Sequence, residues 1–124
     1  MNQQDHFKLR DSGKRKTYSS GAMRERNTGK GRFDLISPFA LMRLALIYEK
    51  GAMKYDDRNW EKGEPFTRFI DSAMRHIVQY MQGDREEDHL AQAAWNLFSI
   101  LHLEATMPEW DDMPDYLKKK KEQG

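Results

Sequence analysis

"PFTRFIDSAMRHIVQYMQG", residues 65–83, is the stretch whose periodicity decides the fold. Phe66, Phe69, Ile70, Ala73, Met74, Ile77 and Met81 recur at steps of three and four, which on a helix makes one apolar stripe. Arg68, Asp71, Arg75 and Gln79 take the opposite side, and Gly83 supplies the left-handed stop that a helix end favours. No segment of the chain alternates polar and apolar residues as a half-buried strand does, so the spacing predicts helices throughout.

Upstream, "SPFALMRLALIYEKG" (37–51) carries signals at both ends. Ser37 suits a cap, Pro38 the first helical position and Gly51 the stop. Phe39, Met42, Leu46 and Tyr48, widened by Leu41, Leu44 and Ile47, predict a largely buried helix. Downstream, "DREEDHLAQAAWNLFSILHLEATMP" (84–108) opens on Asp84 with Glu87 three residues on, a capping-box-like start with acids in the first turn. Leu90, Ala94, Leu97, Phe98 and Leu101 are expected to face a core, and Pro108 closes the helix. The expected class is all-α: a small bundle of three long helices with short terminal elements, completed by oligomerisation because so much apolar surface is left over. The 124 residues divide into a flexible basic arm at 1–17, a helical domain at 18–116 and a flexible lysine-rich tail at 117–124.

Composition removes several function classes. The chain has no cysteine, which rules out a disulfide scaffold and thiolate metal ligation and fits a reducing compartment. No run approaches the ~20 apolar residues that cross a bilayer, and the start has no apolar signal core. A cytoplasmic location is expected, that of the host if the gene is carried by a phage, with no membrane partner. The net charge of +1 gives no global field toward nucleic acid, so none is expected as the main partner. The cations of residues 8–32 still fit an anionic partner or a solvated arm.

The chemistry concentrates in four places. His89, Gln92 and Asn96 lie on one line of the third helix, beside Glu86, Glu87 and Asp88. They serve either as structural polar partners or as a metal and substrate site, since carboxylate oxygens suit Mg²⁺ or Mn²⁺. On the second helix His76 is placed to face His89, while Asp71 and Arg75 make an i,i+4 pair. "GKGRFD" (29–34) puts Lys30 and Arg32 among glycines, as a phosphate cradle or as a basic turn, without the full Walker pattern. "GAMKYDDRNWEKG" (51–63) offers Lys54 and Arg58 as cations, Tyr55 and Trp60 as flat faces and Asn59 as donor and acceptor. Those are the parts of a purine nucleotide site; equally, the two aromatics plug the end of the bundle. No Gly-x-Ser-x-Gly, cysteine nucleophile or His-Glu-x-x-His is present.

"SGAMRERNTGKGRFDLISP", "YEKGAMKYDDRNWEKGEP" and "DSAMRHIVQYMQGDREEDHLAQAAWNL", in this order, resemble the phage dATP/dGTP diphosphohydrolase (MazZ-like) family over residues 18–104. That family is similar to the all-α MazG-like nucleotide pyrophosphohydrolases. The resemblance implies a helical homo-oligomer, dimer or tetramer, that uses Mg²⁺ or Mn²⁺ to split a purine deoxynucleoside triphosphate into monophosphate and pyrophosphate. Glu49, Asp71, Glu87, Asp88 and Asn96 would then be the metal-side residues, and His76 and His89 would handle the attacking water. Lys30, Arg32, Lys54, Tyr55, Arg58, Asn59, Trp60 and Arg75 would hold the nucleotide. The Glu-x-x-Glu and Glu-x-x-Asp pairs of the MazG-like group are replaced here by Asp71, Arg75 and His76 on one helix and by His89, Gln92 and Asn96 on the next. A protein that sequesters a nucleotide, including a host signal, without hydrolysing it is the second expectation. A helical scaffold whose basic arm touches DNA or RNA is the third.

Overall fold

The computed structural model describes residues 15–25 and 28–119, in two compact units, Met1–Ser37 and Pro38–Gly124. Residues 1–14 of the arm expected at 1–17 and the last five residues of the expected tail lie outside the described residues, while residues 15–17 of that arm form a short strand.

Among the described residues, the strands lie in the first unit. β1 (Arg15–Thr17) pairs antiparallel with β2 (Met23–Glu25), with Lys16 opposite Arg24. Tyr18 and Ala22 close the hairpin by a 2.9 Å backbone bond, and Gly21 at φ 92° permits the tight reversal. Three residues per strand are too few to show alternation, which is why periodicity alone misses the hairpin.

The second unit is a three-helix assembly. α1 is Pro38–Lys54, α2 is Phe66–Met81 and α3 is His89–Thr106. Pro38 does open α1, but Gly51 does not end it: the helix runs three residues further, because a glycine is tolerated inside a helix at a modest cost. The acids at 84–88 are not in the first turn of α3 but precede it. Asp88 is the N-cap and accepts from the Ala91 amide at 3.1 Å. Short 3₁₀ turns at Asn59–Lys62, Pro108–Trp110 and Asp115–Leu117 complete the chain.

The core sits where α2 meets α3. Phe66, Phe69 and Leu103 form its centre, with Trp95, Ile100 and Met107 packed around them. The buried face of α3 differs from expectation: it is His89, Ala91, Ala93, Asn96, Ser99 and Leu103. Leu90, Leu97, Phe98 and Leu101 are exposed instead. On α1 only Leu44 is buried, while Phe39 is 84% exposed and Met42 and Leu46 are also exposed. Small side chains let α2 approach α3 closely, and the three polar groups on that face, His89, Asn96 and Ser99, are paired rather than solvated. The large apolar side chains are thereby left on the outside of the unit.

Two contacts fix the ends of α2. Asp112, from the segment after α3, accepts from the Thr67 amide at 2.9 Å and from the Thr67 hydroxyl at 2.5 Å, capping the helix from elsewhere in the chain. At the other end the Arg85 guanidinium lies 3.7 Å from the centre of the Tyr80 ring and donates to the carbonyls of Tyr80 and Asp84 at 2.7 and 3.0 Å. With Gly83 at φ 95°, this clamps the turn that carries Asp84 toward α3. Gly63 is constrained differently: φ is 99°, and a Cβ would run into the Trp110 ring.

Candidate functional site

A cleft of about 1100 Å³ opens between the C-terminal half of α1, the connection 55–64 and the faces of α2 and α3. Its two sides are built from different chemistry.

One side comes from residues 50–60. Lys50, Lys54, Tyr55, Arg58, Asn59 and Trp60 all line it. α1 delivers Lys54 on its last turn, and a left-handed Arg58 (φ 58°) turns the chain into the Asn59–Lys62 helical turn. A non-glycine residue in that conformation is locally strained, and such residues cluster at functional sites. Arg58 also pairs with Glu61 at 2.6 Å. The two aromatics differ. Trp60 is half-buried, edge-on to Tyr48 at 5.8 Å and to His102 at 4.8 Å, while Tyr48 and Phe69 in turn touch Trp95. Tyr55 is 60% exposed, with the Lys54 ammonium 5.5 Å from its ring centre. Trp60 therefore serves both packing and cleft, whereas Tyr55 has a ring face to offer. Burial pushes the Tyr48 phenol above its ordinary value.

The opposite side comes from α2, α3 and the turn between them. His76 on α2 and His89 at the start of α3 meet through their Nδ1 atoms at 2.9 Å. His89 is 1% exposed. Its other nitrogen, Nε2, lies 2.9 Å from an Asp84 oxygen, yet the direction is off the N–H axis, so this is a close electrostatic contact and not a well-aligned hydrogen bond. The contact to His89, with the Glu86 amide at 2.9 Å, holds the Asp84 carboxyl below its ordinary range. His76 is held below its ordinary value, first by burial, then by His89 and Arg75, with Glu87 opposing. It is therefore in its neutral, proton-accepting form at neutral pH.

Asn96 is buried and spends its amide on the Gln92 carbonyl at 2.9 Å and the Ser72 hydroxyl at 3.3 Å. Asp88 takes a two-pronged Arg43 guanidinium at 2.8 and 2.6 Å besides capping α3. That guanidinium is the main reason its carboxyl stays below the ordinary range. Glu87 accepts from Gln92 at 3.2 Å, and Glu86 lines the cleft beside it.

Of the residues singled out from the sequence, the cleft gathers Lys54, Tyr55, Arg58, Asn59, Trp60, Arg75, His76, Glu87, Asp88 and Asn96. His89 backs it from within the bundle. Glu49 and Asp71 are exposed and do not line it; Asp71 pairs with Arg75. Lys30 and Arg32 belong to the first unit, where Arg32 grips Asp34 at 2.8 and 2.7 Å. Residues not anticipated are Asp84, Arg43, Arg68 and Ser72. Asp84 alone has a sequence signal, as an acid beside a helix start, and that signal reads as a cap; Arg43 and Ser72 owe their places to another helix folding against them.

Among the described residues no three His, Asp or Glu side chains converge as a ready metal cage. Mg²⁺ does not require one, since it is commonly held by one or two carboxylates plus substrate phosphates. Glu86 and Glu87, on the cleft wall and in no ion pair with a described residue, fit that partial role. Among the described residues no helix is long and apolar enough to cross a membrane.

A family model described as dATP/dGTP diphosphohydrolase, N-terminal, matches residues 20–113. No curated protein and no solved structure matches the chain.

Proposed function

This chain belongs to the dATP/dGTP diphosphohydrolase N-terminal family, and from that premise we propose that its cleft binds a purine deoxynucleoside triphosphate and hydrolyses it to monophosphate and pyrophosphate. The observation that carries the reading is the meeting, in one cleft, of a cationic, aromatic side with a side bearing a neutral histidine and free carboxylates. Triphosphate oxygens need several positive donors, and Lys50, Lys54, Arg58, Arg68 and Arg75 all face the cleft. Tyr55 gives a ring for the base to stack on, and Asn59 a donor–acceptor pair for its edge.

In the reaction a water oxygen bonds to the α-phosphorus while the bond from that phosphorus to the bridging oxygen breaks, and pyrophosphate leaves. The cations bind and orient the phosphates and balance the charge that develops on them. A histidine takes the proton of the water. Glu86 and Glu87 would hold Mg²⁺ or Mn²⁺, which supplies charge neutralisation when bound.

The test is to incubate the purified protein with each dNTP and either metal and to resolve the products. Monophosphate plus pyrophosphate from dATP or dGTP supports the reading; intact nucleotide after binding sinks it. The second reading, sequestration without hydrolysis, draws on Asp88, whose carboxylate is already committed to Arg43 and to the α3 cap. It expects strong thermal stabilisation by a nucleotide that is recovered unchanged.

Homo-oligomerisation is part of the proposal. Phe39, Met42 and Leu46 on α1, Met74 and Met81 on α2, and Phe98 and Leu101 on α3 are exposed, more apolar surface than a lone small domain commonly leaves in water. A dimer or tetramer in sedimentation, lost in a Phe39→Glu, Met42→Glu variant, would bear this out; a monomer at all concentrations would overturn it. A cytoplasmic setting, that of the host where a phage carries the gene, is part of the same proposal.

A further inference from the structure

We infer that Asp84, His89 and His76 form an ordered chain in which His76 Nε2 is the base that accepts the proton of the attacking water, with His89 and Asp84 as positioning residues. The inference rests on the hydrolase reading of the cleft and adds to it a division of labour between the two histidines.

The argument is one of proton counting. A hydrogen bond between two Nδ1 atoms needs one proton, on one ring or the other. His89 is sealed from water, and the Asp84 carboxylate lies 2.9 Å from its Nε2. A bare Nε2 lone pair facing a carboxylate is repulsive, so with one proton on each ring His89 carries its own on Nε2. Its Nδ1 is then bare and can only accept. The shared proton therefore belongs to His76 Nδ1, and the neutral His76 ring is bare at Nε2. That atom makes no hydrogen bond to any described residue, and His76 is on the cleft wall. When Nε2 takes the proton, the Nδ1–H of the resulting imidazolium is still received by His89, so ring orientation and charge are both supported. No further proton donor or acceptor is needed for the step to balance.

Three features hold Asp84 in register. Its other oxygen accepts from the Glu86 amide, Gly83 turns the chain with a positive φ, and Arg85 ties the turn to Tyr80. The charged and titratable groups that act on His76 are Arg75 on its own helix and His89 and Glu87 from the α2–α3 side; Arg68, Glu86, Asp88, Lys50 and Lys54 share the cleft wall with it, and Asp84 reaches it only through His89.

Asp84→Asn is the informative variant. The carboxamide oxygen can still accept from the Glu86 amide, but its NH₂ then faces His89 Nε2. The His89 proton moves to Nδ1, His76 Nδ1 must accept it, and the His76 proton moves to Nε2, which is the base no longer. The full chain is assayed with dATP and dGTP and Mg²⁺ or Mn²⁺, and imidazole ¹⁵N NMR assigns tautomers through single His→Gln variants. The expected results are a wild-type His76 protonated at Nδ1, a His89 protonated at Nε2, and reversal of both in Asp84→Asn. Alongside these, Asp84→Asn lowers kcat by about tenfold or more with KM little changed, and His76→Gln by about 10²- to 10⁴-fold. The double variant is no slower than His76→Gln, since both act through one group.

Circular dichroism and stabilisation by dATP confirm that each variant is folded and binding. The wild-type kcat/KM falls on the acid side below the ordinary imidazole pKa, and His76→Gln abolishes that limb. Wild-type turnover that Asp84→Asn or His76→Gln leaves untouched overturns the relay and spares the hydrolase reading. So does a wild-type His76 protonated at Nε2. A wild type that binds dATP and never turns it over with either metal overturns the hydrolase reading and takes the catalytic role of His76 with it.

Discussion

The two sides of the cleft are held in opposite ways. On the side of residues 50–60, Lys54 and Tyr55 are exposed and Arg58 pairs with its neighbour Glu61, three residues on. On the side of α2 and α3, His89 and Asn96 are buried, and each polar contact crosses from one element to another or back to its own helix. Exposed ion pairs are weak and screened, so their members are free to turn toward a bound anion. Buried hydrogen-bonded groups are fixed, because leaving one unpaired is costly. The first side is suited to capture a variable, highly charged ligand. The second is suited to hold one atom in one place.

The comparison breaks most visibly if its common support is removed. Leu103 is fully buried at the α2–α3 core, so Leu103→Ala is expected to cost about 2–5 kcal/mol and to lower Tm by roughly 10 °C or more. A Tm unchanged in a thermal melt would mean that α3 is not anchored there. Next, Lys54→Ala with Arg68→Ala is expected to weaken dATP binding about tenfold or more per residue, with the ligand-free Tm unchanged. Calorimetric titration at two salt concentrations checks this, and a large fall in the ligand-free Tm would show that this side is structural too. Asn96→Ala sharpens the contrast from the other direction. It strips the Gln92 carbonyl and Ser72 hydroxyl of their donor, at about 1–3 kcal/mol of stability by denaturant unfolding.

The smallest effect is that of mild acid. His76, Asp84, Asp88 and Asp112 all have folded pKa values below their ordinary ones, so the unfolded chain binds more protons and acid destabilises. The His76 contribution fades as pH drops below 6.5, and those of the carboxylates below 3.8. Unfolding followed from pH 7 to pH 5 should show a shallow first loss, absent in His76→Gln.

Aromatic roles illustrate what a linear reading can separate. Tyr55 and Trp60 look equivalent in "KYDDRNW", yet one is exposed beside a lysine and the other is wedged against Tyr48 and His102. Trp60→Ala should lower Tm, and Tyr55→Ala should lower dATP affinity instead; equal effects on both measurements would erase the distinction. Asp84 and Asp88 differ in the same manner. Four residues apart and both plausible caps, they diverge because Arg43 folds onto one and a buried imidazole onto the other.

The sequence by itself determined the helical class, the order of three helices and the gathering of charge and aromatics in the connection after α1, and it marked His76 as the candidate to face His89. These depend on periodicity and local spacing, which a chain carries wherever it folds. Only the tertiary structure decided that α3 turns its small and polar face inward and its leucines outward, and that Glu49 and Asp71 stand away from the cleft. It alone assigned Asp84 to His89. An amphipathic pattern fixes which residues share a face, but which face is covered depends on how closely two helices can approach, and that is settled by the side chains of both.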